Sequence, residues 1–156
     1  KNKHMRWAAL LRHQTPEEAV AILRQLKLDN DTINRVKTLV QWWKRPVGAD
    51  QTQIRRTMSQ MSPELYDDLL VLKTSVGELE LQAEGCVEDL DWVKAQTGEI
   101  RQRGDCVSLK ELAITGADLI QAGMKPGKEL GETLKRLLEL VLEHPEWNTK
   151  EILKKV

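Results

Sequence analysis

The stretch Gly123–Gly131 constrains this chain most, because it places three glycines and a proline within nine residues. Gly123 stands where a helix end requires a residue with positive φ. Pro126 is expected at or near the first position of a new helix, where its missing N–H costs nothing. The stretch therefore predicts a helix-turn-helix corner, with a short helix over 116–122 and a long helix over about 126–143.

The same corner is a candidate anion site. Gly127 and Gly131 carry no side chain, so a phosphate or a neighbouring helix can approach the backbone closely. The N–H groups at the start of the second helix can bind an anion, and Lys125 and Lys128 add positive charge beside them. Two interpretations stay open from the residues alone: a nucleic-acid phosphate site, or a tight turn whose glycines permit close helix packing.

Helix signals recur along the rest of the chain. Thr15-Pro16 and Ser62-Pro63 each place a hydroxyl N-cap before a proline and an acidic residue, and apolar residues at helical spacing follow both. One longer amphipathic stretch is expected from about Val76 to Arg103. There is no strand-like alternation and no internal repeat of 20 to 50 residues. The sequence predicts an all-α array of about eight to ten helices.

The chain divides most clearly at Arg103-Gly104-Asp105. We expect a larger helical region over 1–104 and a small second module over 105–156. The formal net charge is zero, but residues 1–60 hold 12 Lys/Arg against 5 Asp/Glu, whereas residues 61–156 hold 12 against 19. This asymmetry favours a polyanion at the first part of the chain, and an ordinary solvated helix surface is the alternative interpretation.

The basic part supplies further candidate contacts. Phosphate binding there is predicted for Arg35, Lys37, Arg55 and Arg56. Trp42 is a candidate for stacking on a base or ribose, whereas buried positions are expected for the tryptophans Trp7, Trp43 and Trp92.

A catalytic or metal centre is not predicted. The three histidines are scattered, and His13 is followed by glutamine, so it lacks the carboxylate that an HD-type metal site requires. The acidic run Glu88–Asp91 would point in different directions on a helix and is interpreted as a solvated face. Cys86 and Cys106 are expected to be reduced thiols. With no signal-like or membrane-spanning segment, we expect a soluble, cytoplasmic protein.

The last third resembles the C-terminal tail of bacterial class II tRNA nucleotidyltransferases, the CCA-adding enzymes related to bacterial poly(A) polymerase. Three runs carry the resemblance: Ser108–Ile120, Lys125–Gly131 and Leu134–Asn148. It is specific over about 108–153 and looser over 6–75. The matching tail positions are Gly116, Asp118, Leu119, Gly123, Pro126, Gly127, Gly131 and the motif at Asn148.

The resemblance implies a helical body-like region over 1–104 and a C-terminal tail-like RNA-binding module over 105–156, which together hold the acceptor and T arms of tRNA. The Gly-Ser motif of the family's catalytic head and the Glu-Asp-x-x-Arg motif of its neck are missing, so this chain is expected to be an inactive part of a longer protein. The parent would add CCA to tRNA 3′ ends with ATP, CTP and Mg²⁺. An A-adding enzyme, a poly(A) polymerase or a helical protein-interaction module are the alternatives, and an HD-type hydrolase ranks last.

Overall fold

The computed structural model describes residues 2–156, which fold into ten α-helices and two 3₁₀ helices without a strand. The prediction of an all-α array is confirmed. The helices are α1 (Lys3–Leu11), α2 (Pro16–Gln25), α3 (Asn30–Trp42), α4 (Gln51–Ser59), α5 (Pro63–Val76), α6 (Glu78–Ala83), α7 (Leu90–Arg103), α8 (Gly116–Gln121), α9 (Lys128–Glu143) and α10 (Lys150–Leu153), with 3₁₀ helices at Leu109–Glu111 and Pro145–Trp147.

Side-chain caps fix most of the helix starts. Thr15 caps α2 by accepting a hydrogen bond from the Glu18 N–H (3.2 Å), and the Glu18 carboxylate accepts one from the Thr15 N–H (2.9 Å). Thr115 and Asp118 form the same reciprocal pair at α8. These pairs satisfy N–H groups that have no partner within the helix, so local sequence alone is enough to set where the helices begin.

The apolar side chains form three separate clusters. The first lies among α1, α2, α3 and α5 and includes the fully buried Trp43. The second joins α4, α5 and α7 around Ile54 and Tyr66. The third is confined to residues 106–153 and contains the inward face of α9. That face includes Leu130, Leu134, Leu137, Leu138 and Val141. The division of the chain into 1–104 and 105–156 stays a prediction.

A buried ion pair ties three segments of the first 104 residues together. Lys73 is fully buried on α5, and its ammonium group lies 2.6 Å from Glu88 Oε1 and 2.6 Å from the Arg45 carbonyl. The other Glu88 oxygen accepts a hydrogen bond from the Val47 N–H at 2.7 Å. The segment around Glu88 is thereby held against the loop that follows α3, although it belongs to no helix.

The expected long helix over 76–103 is wrong. Gly77 ends α5 with φ of 92°, and Gly85 ends the short α6 with φ of 80°, a backbone conformation that glycine adopts without steric cost. Asp89 then starts α7 by accepting a hydrogen bond from the Trp92 N–H. The apolar spacing continues through this region, but the glycines and the new N-cap break the helix.

The corner is confirmed in outline and corrected in one detail. Gly123 follows α8 with φ of 101°, as a left-handed helix end requires. Pro126, however, lies before the N-cap residue Gly127, and α9 begins at Lys128. Pro126, which was expected at or near the first helical position, therefore lies outside the helix, two residues before that position. No helix within residues 2–156 combines the length and hydropathy required to cross a membrane.

Candidate nucleic-acid interface

The corner presents its two lysines to solvent. Lys125 is exposed and forms no ion pair with any described residue. The Lys128 side chain is 91% exposed, and its ammonium group lies 3.7 Å from Glu132, one turn further along α9. No side chain caps α9 at Gly127, in contrast to α2, α3, α4, α5, α7, α8 and α10. Two cations therefore lie beside a helix start that no side chain caps.

The corner glycines do not serve close helix packing. A Cβ atom added to Gly127 or Gly131 would meet no other atom within 4 Å. The close approach occurs instead at Gly116 on α8, where an added Cβ would lie 3.4 Å from Leu130 Cδ2. Of the two interpretations of the corner, close packing through Gly127 and Gly131 is thus excluded by the structure.

Arg55 is buried and does not reach the surface. Only 4% of the residue is exposed. Its Nε donates to the Leu142 carbonyl at 2.7 Å, Nη1 lies 3.3 Å from Asp105 Oδ2, and Nη2 donates to Thr52 Oγ1 at 3.2 Å. The prediction of an RNA phosphate contact at Arg55 is corrected accordingly: the guanidinium joins α4 to the C-terminal end of α9.

Arg56 and Arg35 lie nearer the surface, but acidic side chains already neutralise both. Arg56 pairs with Glu139 at 3.2 Å and also with Glu143, and the hydrogen bond to Glu139 contributes most to a raised Arg56 pKa. Arg35 lies 3.0 Å from Asp31 within α3. Either arginine would have to exchange a carboxylate for a phosphate in order to bind RNA.

Lys37 is exposed and forms no ion pair with a described residue, so among the four predicted contacts of the basic part it is the one with a freely available charge. Trp42, on the same helix, is half-buried beneath the Arg45 guanidinium, 5.5 Å from the ring centroid. The core prediction holds for Trp43, which is fully buried, and is wrong for Trp92, which is 37% exposed.

Three further cations were missed by the sequence interpretation. Lys110, Lys135 and Arg136 are exposed, line one groove beside α9, and form no ion pair with any described residue. Lys135 and Arg136 lie on the outer face of α9. Helical spacing can identify the outer face of a helix, but it cannot show which charged side chains on that face form ion pairs.

The acidic run Glu88–Asp91 does not fit a metal ion. Glu88 is neutralised by Lys73, and Asp89 accepts the N-cap hydrogen bond of α7. His13 lies 3.0 Å from Glu80 and is half-exposed. Within residues 2–156, no three His, Cys, Asp or Glu side chains lie together in a way that would hold a metal ion.

The fold and this surface define an all-α module with unpaired cations on its last third. A family model described as tRNA nucleotidyltransferase domain 2 matches residues 1–156, and the chain belongs to this family. The resemblance found in the last third of the sequence is therefore confirmed and extends over the whole chain. No curated protein and no solved structure matches it significantly.

Proposed function

We propose that this chain is the tRNA-binding portion of a tRNA nucleotidyltransferase. The observation that carries the proposal is a group of exposed cations without acidic partners among the described residues, in a member of this family: Lys110, Lys125, Lys135 and Arg136 in the last third, near Lys128, and Lys37 on α3. Exposed Lys and Arg side chains contact phosphates without reading sequence, which suits a protein that must accept every tRNA.

The role is to position the substrate. Contacts to the sugar-phosphate backbone fix the register and orientation of a nucleic acid. Here the cations of α9 and of the corner would hold the tRNA elbow, and the first turn of α9 would offer N–H groups to a phosphate beside Lys125 and Lys128. A rigid hold on the elbow would keep the 3′ end at the catalytic part of the parent protein.

The chemistry belongs to that catalytic part. We propose that the parent adds CCA, or A alone, to tRNA 3′ ends in the cytoplasm, using ATP, CTP and Mg²⁺. The acidic residues of this chain do not fit the metal, so no step of the reaction is assigned to them. If the parent is instead a poly(A) polymerase, this chain would position a different RNA in the same way.

The proposal is tested by tRNA binding to the chain as a function of salt concentration. Wild type is compared with Lys125→Glu/Lys128→Glu, and with Arg24→Glu/Lys27→Glu as a control that makes the same charge change at exposed residues of the body. We expect micromolar affinity that falls steeply with salt, because each neutralised phosphate releases counterions. The corner variant should lose about tenfold in affinity and reduce the slope of log K against log salt by about 1 to 2.

Two results would contradict the proposal. If wild type fails to bind tRNA even at low salt, the chain does not hold the substrate. If both double variants weaken binding equally, the net charge of the protein, and not the corner, determines the affinity. Unchanged binding in the corner variant together with sensitivity at exposed apolar positions would favour a protein-interaction module.

A further inference from the structure

A groove runs between α4 and α9 and has an apolar floor. Its walls are the end of α4 with the turn leading to α5, the segment 107–111, and one side of α9. Its volume is about 1220 Å³, larger than the ~300–1,000 Å³ of typical small-molecule sites. The floor is formed by Met58, Met61, Val107, Leu109, Leu138 and Leu140. This size suits a segment of a polymer better than a small ligand.

Among the described residues, three cations that line this groove have no acidic partner, whereas only one of its carboxylates, Glu111, has no cationic partner. Of its acidic residues, Glu111 accepts hydrogen bonds from the Val107 N–H (2.9 Å) and the Ser108 hydroxyl (3.1 Å), while Glu139 and Glu143 are both engaged by Arg56. Its cations, by contrast, have no acidic partner among the described residues: Lys110, Lys135 and Arg136. An occupant that matches the groove must therefore carry negative charge as well as apolar surface.

We propose that the groove binds unpaired nucleotides of the tRNA, with bases against the apolar floor and phosphates on Lys110, Lys135 and Arg136. This inference rests on the proposed function and specifies which part of the RNA is bound. Bases stacked within a duplex cannot enter such a groove, whereas bases in a loop or at an end can be splayed out into it. Apolar side chains can flank an extruded base, and methionine sulfur makes favourable contacts with aromatic rings.

Polar groups in the same groove favour RNA over an acidic peptide. Ser59, Gln60, Ser62 and Ser108 line it. The Gln60 amide has no partner among the described residues, and the three hydroxyls, each in one hydrogen bond, retain further capacity. Base edges and 2′-hydroxyls carry both donors and acceptors, so they can use these groups. An acidic peptide bound as an amphipathic helix would turn its apolar face to the groove, and that face has no groups that could hydrogen-bond to these polar side chains.

The test compares two RNAs with equal numbers of phosphates: a hairpin with an unpaired loop and a fully paired duplex. The groove variant is Leu109→Glu, since Leu109 is 46% exposed and its replacement should not disturb folding. Leu26→Glu, directly after α2, is the matched control, because it adds the same charge at another exposed leucine. We expect Leu109→Glu to weaken hairpin binding about tenfold and duplex binding about twofold, with both affinities unchanged in the control.

Methionine oxidation gives a second readout. The chain has four methionines, of which Met58 and Met61 line the groove and Met5 lies on α1. Bound hairpin should protect Met61 from peroxide oxidation, measured by mass spectrometry, while duplex should not, and Met5 should react equally in all samples. Lys135→Gln/Arg136→Gln should abolish the protection.

Failure of this inference is distinguishable from failure of the proposed function. Wild type that binds neither RNA at low salt overturns both. Wild type that binds RNA, with Leu109→Glu affecting hairpin and duplex equally or with Met61 unprotected, overturns the groove assignment alone. In that case an acidic protein segment becomes the better occupant for the groove.

Discussion

The burial of Arg55 leads to a quantitative prediction for Arg55→Met, which keeps an unbranched apolar stem and removes the guanidinium with its charge. In the variant, the Leu142 carbonyl loses its 2.7 Å donor, and the Asp105 carboxylate, whose side chain is only 6% exposed, loses one of its two cations. Arg103 still reaches Asp105 at 2.8 Å. Removing one partner of a buried pair costs about 3–5 kcal/mol, and an unsatisfied buried carbonyl about 1–3 kcal/mol.

Because Arg103 retains part of the ion pair, we expect a total loss of about 3–5 kcal/mol in the free energy of unfolding. Urea denaturation followed by circular dichroism measures this directly. The corresponding fall in Tm would be roughly 6–20 °C, at about 2–4 °C per kcal/mol for a chain of this size.

The neighbouring residue supplies the control. Arg56→Met removes two pairs whose side chains are about half exposed, and such pairs contribute only about 0–1 kcal/mol each. If Arg55→Met costs no more than Arg56→Met, the reasoning from burial is refuted. A second substitution, Asp105→Asn, should recover part of the loss in Arg55→Met, since it removes the carboxylate left without Arg55.

Two further predictions concern local structure. Gly123→Ala should destabilise the chain by about 1 kcal/mol, because φ there is 101°. Gly98→Ala inside α7 should instead stabilise it by about 0.5–1 kcal/mol. Urea midpoints that shift in the same direction in the two variants would contradict this reasoning. The pKa of Asp118 is lowered to about 2, first by its hydrogen bond from the Thr115 N–H and further by Lys150. The ionised Asp118 carboxylate stabilises the fold above the unfolded-state pKa of about 4, and this effect is lost as pH falls towards 2. The difference in unfolding free energy between wild type and Asp118→Asn should therefore shrink over that interval. A difference that stays constant with pH would refute the assignment.

Local features of the fold could be predicted from the sequence because their causes are local. The caps at Thr15 and Ser62 and the positive φ at Gly123 depend on residues within one turn of each other. The family resemblance likewise depends on a contiguous stretch. The break after Gly77 is harder to predict because the apolar spacing continues across it.

The candidate site was less predictable because residues far away in the sequence determine whether a cationic side chain is paired with an acidic group or free at the surface. Arg55 and Arg56 both read as surface cations, yet the hydrogen-bond partner of Arg55, Leu142, lies 87 residues further along the chain. Arg56 is neutralised by two glutamates of α9, while Lys135 and Arg136 on the same helix remain without acidic partners. No local sequence pattern distinguishes these cases, because the packing of α4 on α9 determines which charged side chains form bonds within the protein.

The ion pair between Lys73 and Glu88 also affects how sequences of this fold can diverge. Replacing either residue alone would leave a buried charge without its partner, at a cost of about 3–5 kcal/mol out of the ~5–15 kcal/mol that stabilise a typical domain. An apolar pair of similar volume would be tolerated, but only after both positions had changed. We therefore expect Lys73 and Glu88 to change together among related sequences, because a protein with only one of the two charges would carry the full cost of a buried unpaired group.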